Sequence, residues 1–147
     1  MRGFNIDHGT DLRINFNGAP VNQRSHGHGQ GYSDLNFLIP ELIGDLRYTK
    51  GPYFAEQGDF ASAGSVSFDY VDVLPDGLAL IGVGEDDYGR LVVADTPKLG
   101  AGHFLYGLEV VHNDGPWSNP DNFRKIDATT RPIPASGTTP SSPRNWA

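Results

Sequence analysis

The chain of 147 residues contains no cysteine, which excludes a disulfide framework and any thiolate metal site. It has no long apolar run either. Stretches such as Leu78 to Val83 fall far short of the roughly 20 residues a membrane helix requires, so a membrane role would have to come through β-strands, which need about 9–11 residues each. Basic residues are scarce: 11 Lys and Arg stand against 18 Asp and Glu, a net charge of -7, and that balance argues against a nucleic-acid partner. No signal sequence opens the chain, because Met1-Arg2-Gly3-Phe4 leads at once into Asn5 and Asp7 without an apolar core or a small-residue cleavage site. Either the protein stays in the cytoplasm or the chain lacks its natural start. Catalytic signatures are missing as well. Gly82-Val83-Gly84 has no downstream Gly-Lys-Ser/Thr to cradle phosphates, no Gly-x-Ser-x-Gly elbow occurs, and Ser62, Ser65 and Ser67 have no His and acid in a recognisable arrangement. The expectation is a protein that is not an enzyme and uses no cofactor.

What is abundant is glycine, 19 residues spread along the chain, which reads as many turns between short elements. Leu12 to Asn17 alternates apolar Leu12, Ile14 and Phe16 with polar Arg13, Asn15 and Asn17, a half-buried strand ending in an Asn17-Gly18 turn. The glycine-rich stretch Arg24 to Tyr32 is a loop. Leu35 to Leu42 has room for a short helix with Pro40 in its first turn and Gly44 ending it. Leu46–Thr49 and Ser65–Val73 are further strands, the latter with Val66, Phe68 and Tyr70 on one face.

From Gly77 the character changes. Leu78–Gly84, Tyr88–Thr96 and His103–His112 are strand candidates of about the length of a tilted membrane span. In the last of them Phe104, Tyr106, Leu108 and Val110 share one face, while His103, Leu105, Gly107, Glu109 and Val111 share the other. A bulky apolar face opposite a mixed one is the lipid-out, lumen-in pattern of a membrane barrel, and an ordinary antiparallel sheet with one solvated face gives the same alternation. After Lys125-Ile126 the pattern breaks off. Asp127 to Ala147, with four prolines and many Ser and Thr, reads by composition as a disordered tail, and a shifted reading frame, a gene remnant or a genuine linker would each explain the change.

One further set of features is ordered along the first half. Arg2-Gly3-Phe4 comes first, then Ile14-Asn15-Phe16-Asn17-Gly18-Ala19-Pro20-Val21-Asn22, then Ser33-Asp34-Leu35-Asn36-Phe37-Leu38-Ile39-Pro40-Glu41, then Lys50-Gly51-Pro52 and a glycine-bounded loop to Gly64. This series resembles the second half of the plug domain of TonB-dependent outer-membrane receptors. Three departures are mild: that family often has an acidic residue where Asn17 stands and a Gly-Gly pair where Gly64-Ser65 stands, and Gly44-Asp45 replaces residues that usually continue the helix or strand. The resemblance implies a mainly β chain, with a partial plug of mixed sheet and a short helix over residues 1–76, the first antiparallel strands of a transmembrane β-barrel over 77–126, and the aberrant tail at 127–147. It implies a fragment of a receptor for energy-coupled uptake of a scarce ligand, most simply an iron-siderophore or similar metal chelate, in the cell outer membrane. The TonB complex would be the partner of the intact receptor, its contact segment being absent here, and the fragment would not transport alone.

The resemblance also assigns candidate ligand contacts to three apical plug loops: Phe4, Asn5 and His8 in the first, Arg24, His26, His28, Gln30 and Tyr32 in the second, Tyr53, Glu56 and Gln57 in the third. Phe54 follows Tyr53 in that third loop, and packing inside the plug is the alternative role for the aromatics. By spacing alone His26 and His28 are a weak metal pair, with no adjacent acidic ligand. Turns at Glu85–Asp87 and Asn113–Arg124 are expected at the outer end of the barrel strands, and Lys98–Gly102 at the periplasmic end. The competing reading is a small soluble β-rich module, for carbohydrate for example, using Trp117, Tyr53 and the Arg24–Tyr32 loop. Such a module would bury Phe104, Tyr106, Leu108 and Val110 in its own core.

Overall fold

The structure, a computed structural model, describes residues 11–135. The protein is mainly β and divides into two compact units between Val71 and Asp72.

In the first unit the strands are β1 (Leu12–Phe16), β2 (Ala19–Pro20), β3 (Ile43–Lys50) and β4 (Gly64–Tyr70). They form one sheet in the order β2-β1-β4-β3. β1 and β4 run parallel, with Leu12 opposite Gly64 and Phe16 opposite Phe68, while the other pairings are antiparallel, so the sheet is mixed. Asn17 (φ 47°) and Gly18 (φ 78°) both occupy the left-handed region, the geometry a tight two-residue hairpin demands and the reason for that residue pair. The Asn17 side chain then accepts the Tyr70 N–H at 3.0 Å, and its own N–H donates to the Phe68 carbonyl at 2.9 Å. Gly64 (φ 139°) lies so close to the Thr49 carbonyl that a Cβ there would collide with it, so the β3–β4 register at Lys50 and Gly64 depends on a missing side chain.

The register puts Leu12, Ile14, Phe16, Val66, Phe68 and Tyr70 on one face and Arg13, Asn15, Ser65, Ser67 and Asp69 on the other. The apolar face joins a core of Leu38, Ile39, Leu42, Ala61 and Ala63. Phe16 stands edge-on to Phe37 and Tyr70, at centroid distances of 5.2 and 4.7 Å, and the Tyr70 hydroxyl accepts the Ile39 N–H at 2.7 Å. The helix expected over Leu35–Leu42 is only a single 3-10 turn, Pro40–Leu42. Leu38 N–H already closes a turn on Leu35, and the residue before a proline is held extended (Ile39 ψ 102°), so a longer helix cannot pass through Pro40.

The second unit contains β5 (Leu78–Val83), β6 (Gly89–Asp95), β7 (Lys98–Leu99), β8 (Gly102–Asn113) and β9 (Phe123–Ile133). β5, β6, β8 and β9 follow one another in an antiparallel sheet, with β7 beside the start of β8. β8 and β9, at 12 and 11 residues, have the length of a tilted span. β5 and β6, at 6 and 7, are shorter than the spans expected from the sequence.

Two expectations are corrected here. The boundary lies at Val71/Asp72 rather than after Asp76. Residues 72–76 belong to the second unit because Leu74 exchanges hydrogen bonds with the Thr96 hydroxyl (2.9 and 3.2 Å) and Asp72 pairs with Arg131 at 2.9 Å. The disordered tail expected from Asp127 is overturned as far as Ile133. β9 pairs with β8 along its whole length, from Phe123 opposite Asn113 to Ile133 opposite His103, and this ladder satisfies backbone that composition alone would leave in water. Residues 136–147 lie outside the described part. No helix among the described residues is long and apolar enough to cross a membrane.

Candidate functional site

The strand directions of the first unit bring two of the three expected loops to one end of its sheet. β1 and β4 start there and β3 finishes there, so residues 23–32 and 51–63 share that end. Asn22 anchors the first of these loops. It is 8% exposed, its Oδ1 accepts the Ile14 N–H at 2.7 Å, and its Nδ2 donates to the carbonyls of Leu12 (3.0 Å) and Gly31 (3.1 Å). One side chain thereby ties both ends of the loop to β1. The Gln23–Tyr32 backbone bridge closes it. Sequence reasoning missed Asn22, although an amide directly after a hairpin return strand is the signal that could have found it.

On this base Tyr32 is flanked by two imidazoles. His26 stacks on its ring at 4.3 Å and 12°, and His28 meets it edge-on at 5.5 Å. His26 Nδ1 accepts the His28 backbone N–H at 3.0 Å. That bond engages Nδ1 within the loop, and the two imidazoles are held against Tyr32 as an aromatic cluster. Among the described residues no group of three or more His, Cys, Asp or Glu side chains could hold a metal ion.

Arg24 and Gln30 project into solvent beside this cluster. Arg24 reaches Asp59 of the neighbouring loop at 3.8 Å, with side chains 86% and 70% exposed, and Arg13 donates to the Asp59 carbonyl at 3.3 Å. A pair that exposed adds little stability, but it marks where the two loops meet. In the second loop Tyr53 is 82% exposed, its ring lying over Gly51 (φ 79°), and a 3-10 turn, Ala55–Gln57, carries Glu56 outward and Gln57 half-buried. Phe4, Asn5 and His8 lie outside the described residues.

A cavity of about 360 Å³ opens elsewhere on this unit, beside the β1–β2 hairpin. Phe16, Pro20, Val21, Gln23, Asp34 and Phe37 line it, and none of them was a candidate from sequence. No spacing rule joins Phe16 to Phe37; only the fold does.

The second unit is organised around its two faces. One carries Ile81, Leu91, Val110 and Ile126 in a single cross-strand row, with Ala79, Val93, Leu108 and Ala128 in the next. Much of this apolar surface is uncovered: Ile81 is 79% exposed, Val83 85% and Ile126 72%. The opposite face holds Val92, Ala94 and Leu105, all buried, together with four charges. Glu109, 2% exposed, receives Arg90 at 2.5 Å and Lys125 at 2.5 Å, and Lys125 also meets Asp127 at 3.0 Å. The quartet sums to zero charge, which is what allows it to be buried. Turns 84–88 and 114–122 share one end of this sheet, where Asp114 N–H donates to the Asp86 carbonyl at 2.9 Å, and the Lys98–Gly102 turn is at the other end. Trp117 is 63% exposed in the longer of the two.

Among protein-family models and curated proteins, nothing matches this chain.

Proposed function

We propose that this chain is part of a TonB-dependent outer-membrane receptor, comprising the later half of its plug and the first strands of its barrel. The receptor would serve energy-coupled uptake of a scarce ligand, an iron-siderophore or similar metal chelate. The observation that carries this reading is the dressing of the second sheet. Apolar rows face outward while Arg90, Glu109, Lys125 and Asp127 face inward, which is the arrangement a strand takes between lipid and a polar lumen. A soluble module would bury the Phe104–Val110 face, yet Leu108 is 39% exposed and its neighbours on that face are only half-buried.

The first unit supports the same reading. Its mixed sheet gathers Arg24, His26, His28, Gln30 and Tyr32 with Tyr53, Glu56 and Gln57 at one end, where a ligand descending from outside would meet them. Arg24 would supply positive charge, and the Tyr32 cluster flat apolar surface, to an acidic chelate. The protein does no covalent chemistry in this account. Binding occurs at the plug, and work done through the TonB complex on the intact receptor releases the ligand inward.

Among the described residues β5 pairs only with β6 and β9 only with β8, so two edges await partners. A five-stranded sheet does not enclose a pore, whereas plugged transporters have about 22 strands. The chain alone is therefore not transport-competent. The test is equilibrium unfolding of the purified full-length chain with and without detergent. Aggregation in plain buffer and a soluble, β-rich species in detergent are expected. A sharp, reversible, monomeric transition in detergent-free buffer would overturn the reading and favour a soluble binding module.

A further inference from the structure

We propose that the cavity beside the β1–β2 hairpin binds a small organic cation carried on a planar apolar ring. This does not rest on the membrane reading, and the cavity is not the loop cluster around Tyr32. Its volume, about 360 Å³, falls in the range of small-ligand pockets. Phe16 and Phe37, edge-to-face at 5.2 Å, form an aromatic wall, and Pro20 and Val21 add apolar surface. A flat ring satisfies that wall, and a positive charge near it gains from the ring quadrupole as well.

The charge preference comes from Asp34. Its Oδ1 accepts the Asn36 N–H at 2.8 Å, which fixes the carboxylate at the cavity rim in a local turn. The described cations of this unit are engaged elsewhere: Arg13 and Arg24 on Asp59, Arg47 on Asp45 and Asp69, Lys50 above the Tyr48 ring at 5.8 Å. No described cation of this unit takes up the Asp34 charge at the cavity, and Gln23, another lining residue, carries an amide able to hydrogen-bond a ligand. An anion meets the wrong field here, and a neutral ring uses only part of the site.

The experiment uses the full-length chain in non-ionic detergent, with benzylammonium as the probe and benzyl alcohol as its neutral match. Backbone amide shifts of Phe16, Ala19, Val21 and Asp34 report occupancy. Benzylammonium is expected to bind about three- to fivefold more tightly than benzyl alcohol, the range an exposed ion pair supports. Asp34→Asn retains an acceptor for the Asn36 N–H and should bring the two probes to parity. Phe37→Ala should weaken both; if that variant does not fold, Phe37→Leu keeps apolar volume while removing the ring. Because the two probes enter detergent micelles to different extents, the free concentration of each is measured before their affinities are compared. Equal affinity for the two probes in the unaltered chain, a cation preference that survives Asp34→Asn, or shifts confined to residues away from the cavity would each overturn the proposal.

Discussion

The two sheets of this protein are dressed in opposite senses. In the first unit the apolar side of the sheet meets Leu38, Ile39 and Leu42, and Arg13, Asn15 and Asp69 lie on the other side. In the second unit Ile81, Val83 and Ile126 point outward, and a balanced set of four charges is turned inward. The same period-two alternation underlies both. On the proposed reading, what differs is the medium each outer face meets, water for the first and an apolar phase for the second.

The largest effect should come from unbalancing the inward charges. Glu109→Ala leaves Arg90 and Lys125 facing each other without their shared carboxylate. A loss of about 3 kcal/mol is expected, at the lower end for a broken buried pair because both cations keep partial exposure. Urea unfolding of the full-length chain in detergent measures it. A change under about 0.5 kcal/mol, the range of ordinary surface substitutions, would mean the quartet is solvated rather than buried.

Next comes the outward face. Ile126→Arg should cost about 2–4 kcal/mol if this position meets the middle of a bilayer, and close to nothing if it meets water. Refolding yield and unfolding in lipid vesicles distinguish the two. In the first unit Tyr48→Lys, on the same face as Val66 but 64% exposed at the sheet edge, should stay within about 0.5 kcal/mol. Similar costs at the two positions would abolish the contrast between the sheets.

A smaller and more local effect is expected at Asn22. Asn22→Ala removes the acceptor for Ile14 and the donors to Leu12 and Gly31, and should cost about 1–3 kcal/mol. Limited proteolysis should then cut within residues 23–32 first, before the second unit is touched. Unchanged protection of that loop would show that the Gln23–Tyr32 bridge suffices to hold it.

Much of this was legible from local rules. Asn17-Gly18 announced its hairpin, alternation announced β1 and β8, and Glu85–Asp87 announced a turn that Asp86 and Asp87 make with positive φ. β9 was not legible because its pattern is inverted. Lys125, Asp127, Thr129 and Arg131 form its inward side, Ala128, Thr130 and Pro132 its outward side, and a rule that looks for apolar residues inside finds no strand there. Its ladder to β8 supplies what the composition withholds. The helix at Leu35–Leu42 failed for a local reason, the effect of Pro40 on the residue before it. Of the candidate site, the two described loops follow from their glycines, whereas Asn22 and the Phe16–Phe37 cavity depend on chain segments that only folding brings together.

The most direct test of the central claim follows β9 residue by residue. With no cysteine in the chain, single substitutions Lys125→Cys, Ile126→Cys, Asp127→Cys, Ala128→Cys and Thr129→Cys each give one labelling site. A fluorophore at each, in the full-length chain reconstituted into vesicles, reads contact with lipid-borne quenchers. Strong quenching at Ile126 and Ala128 with weak quenching at Lys125, Asp127 and Thr129 is the predicted alternation. Uniform quenching, or none at any position, would contradict it and return the outward apolar face to a protein partner or to water.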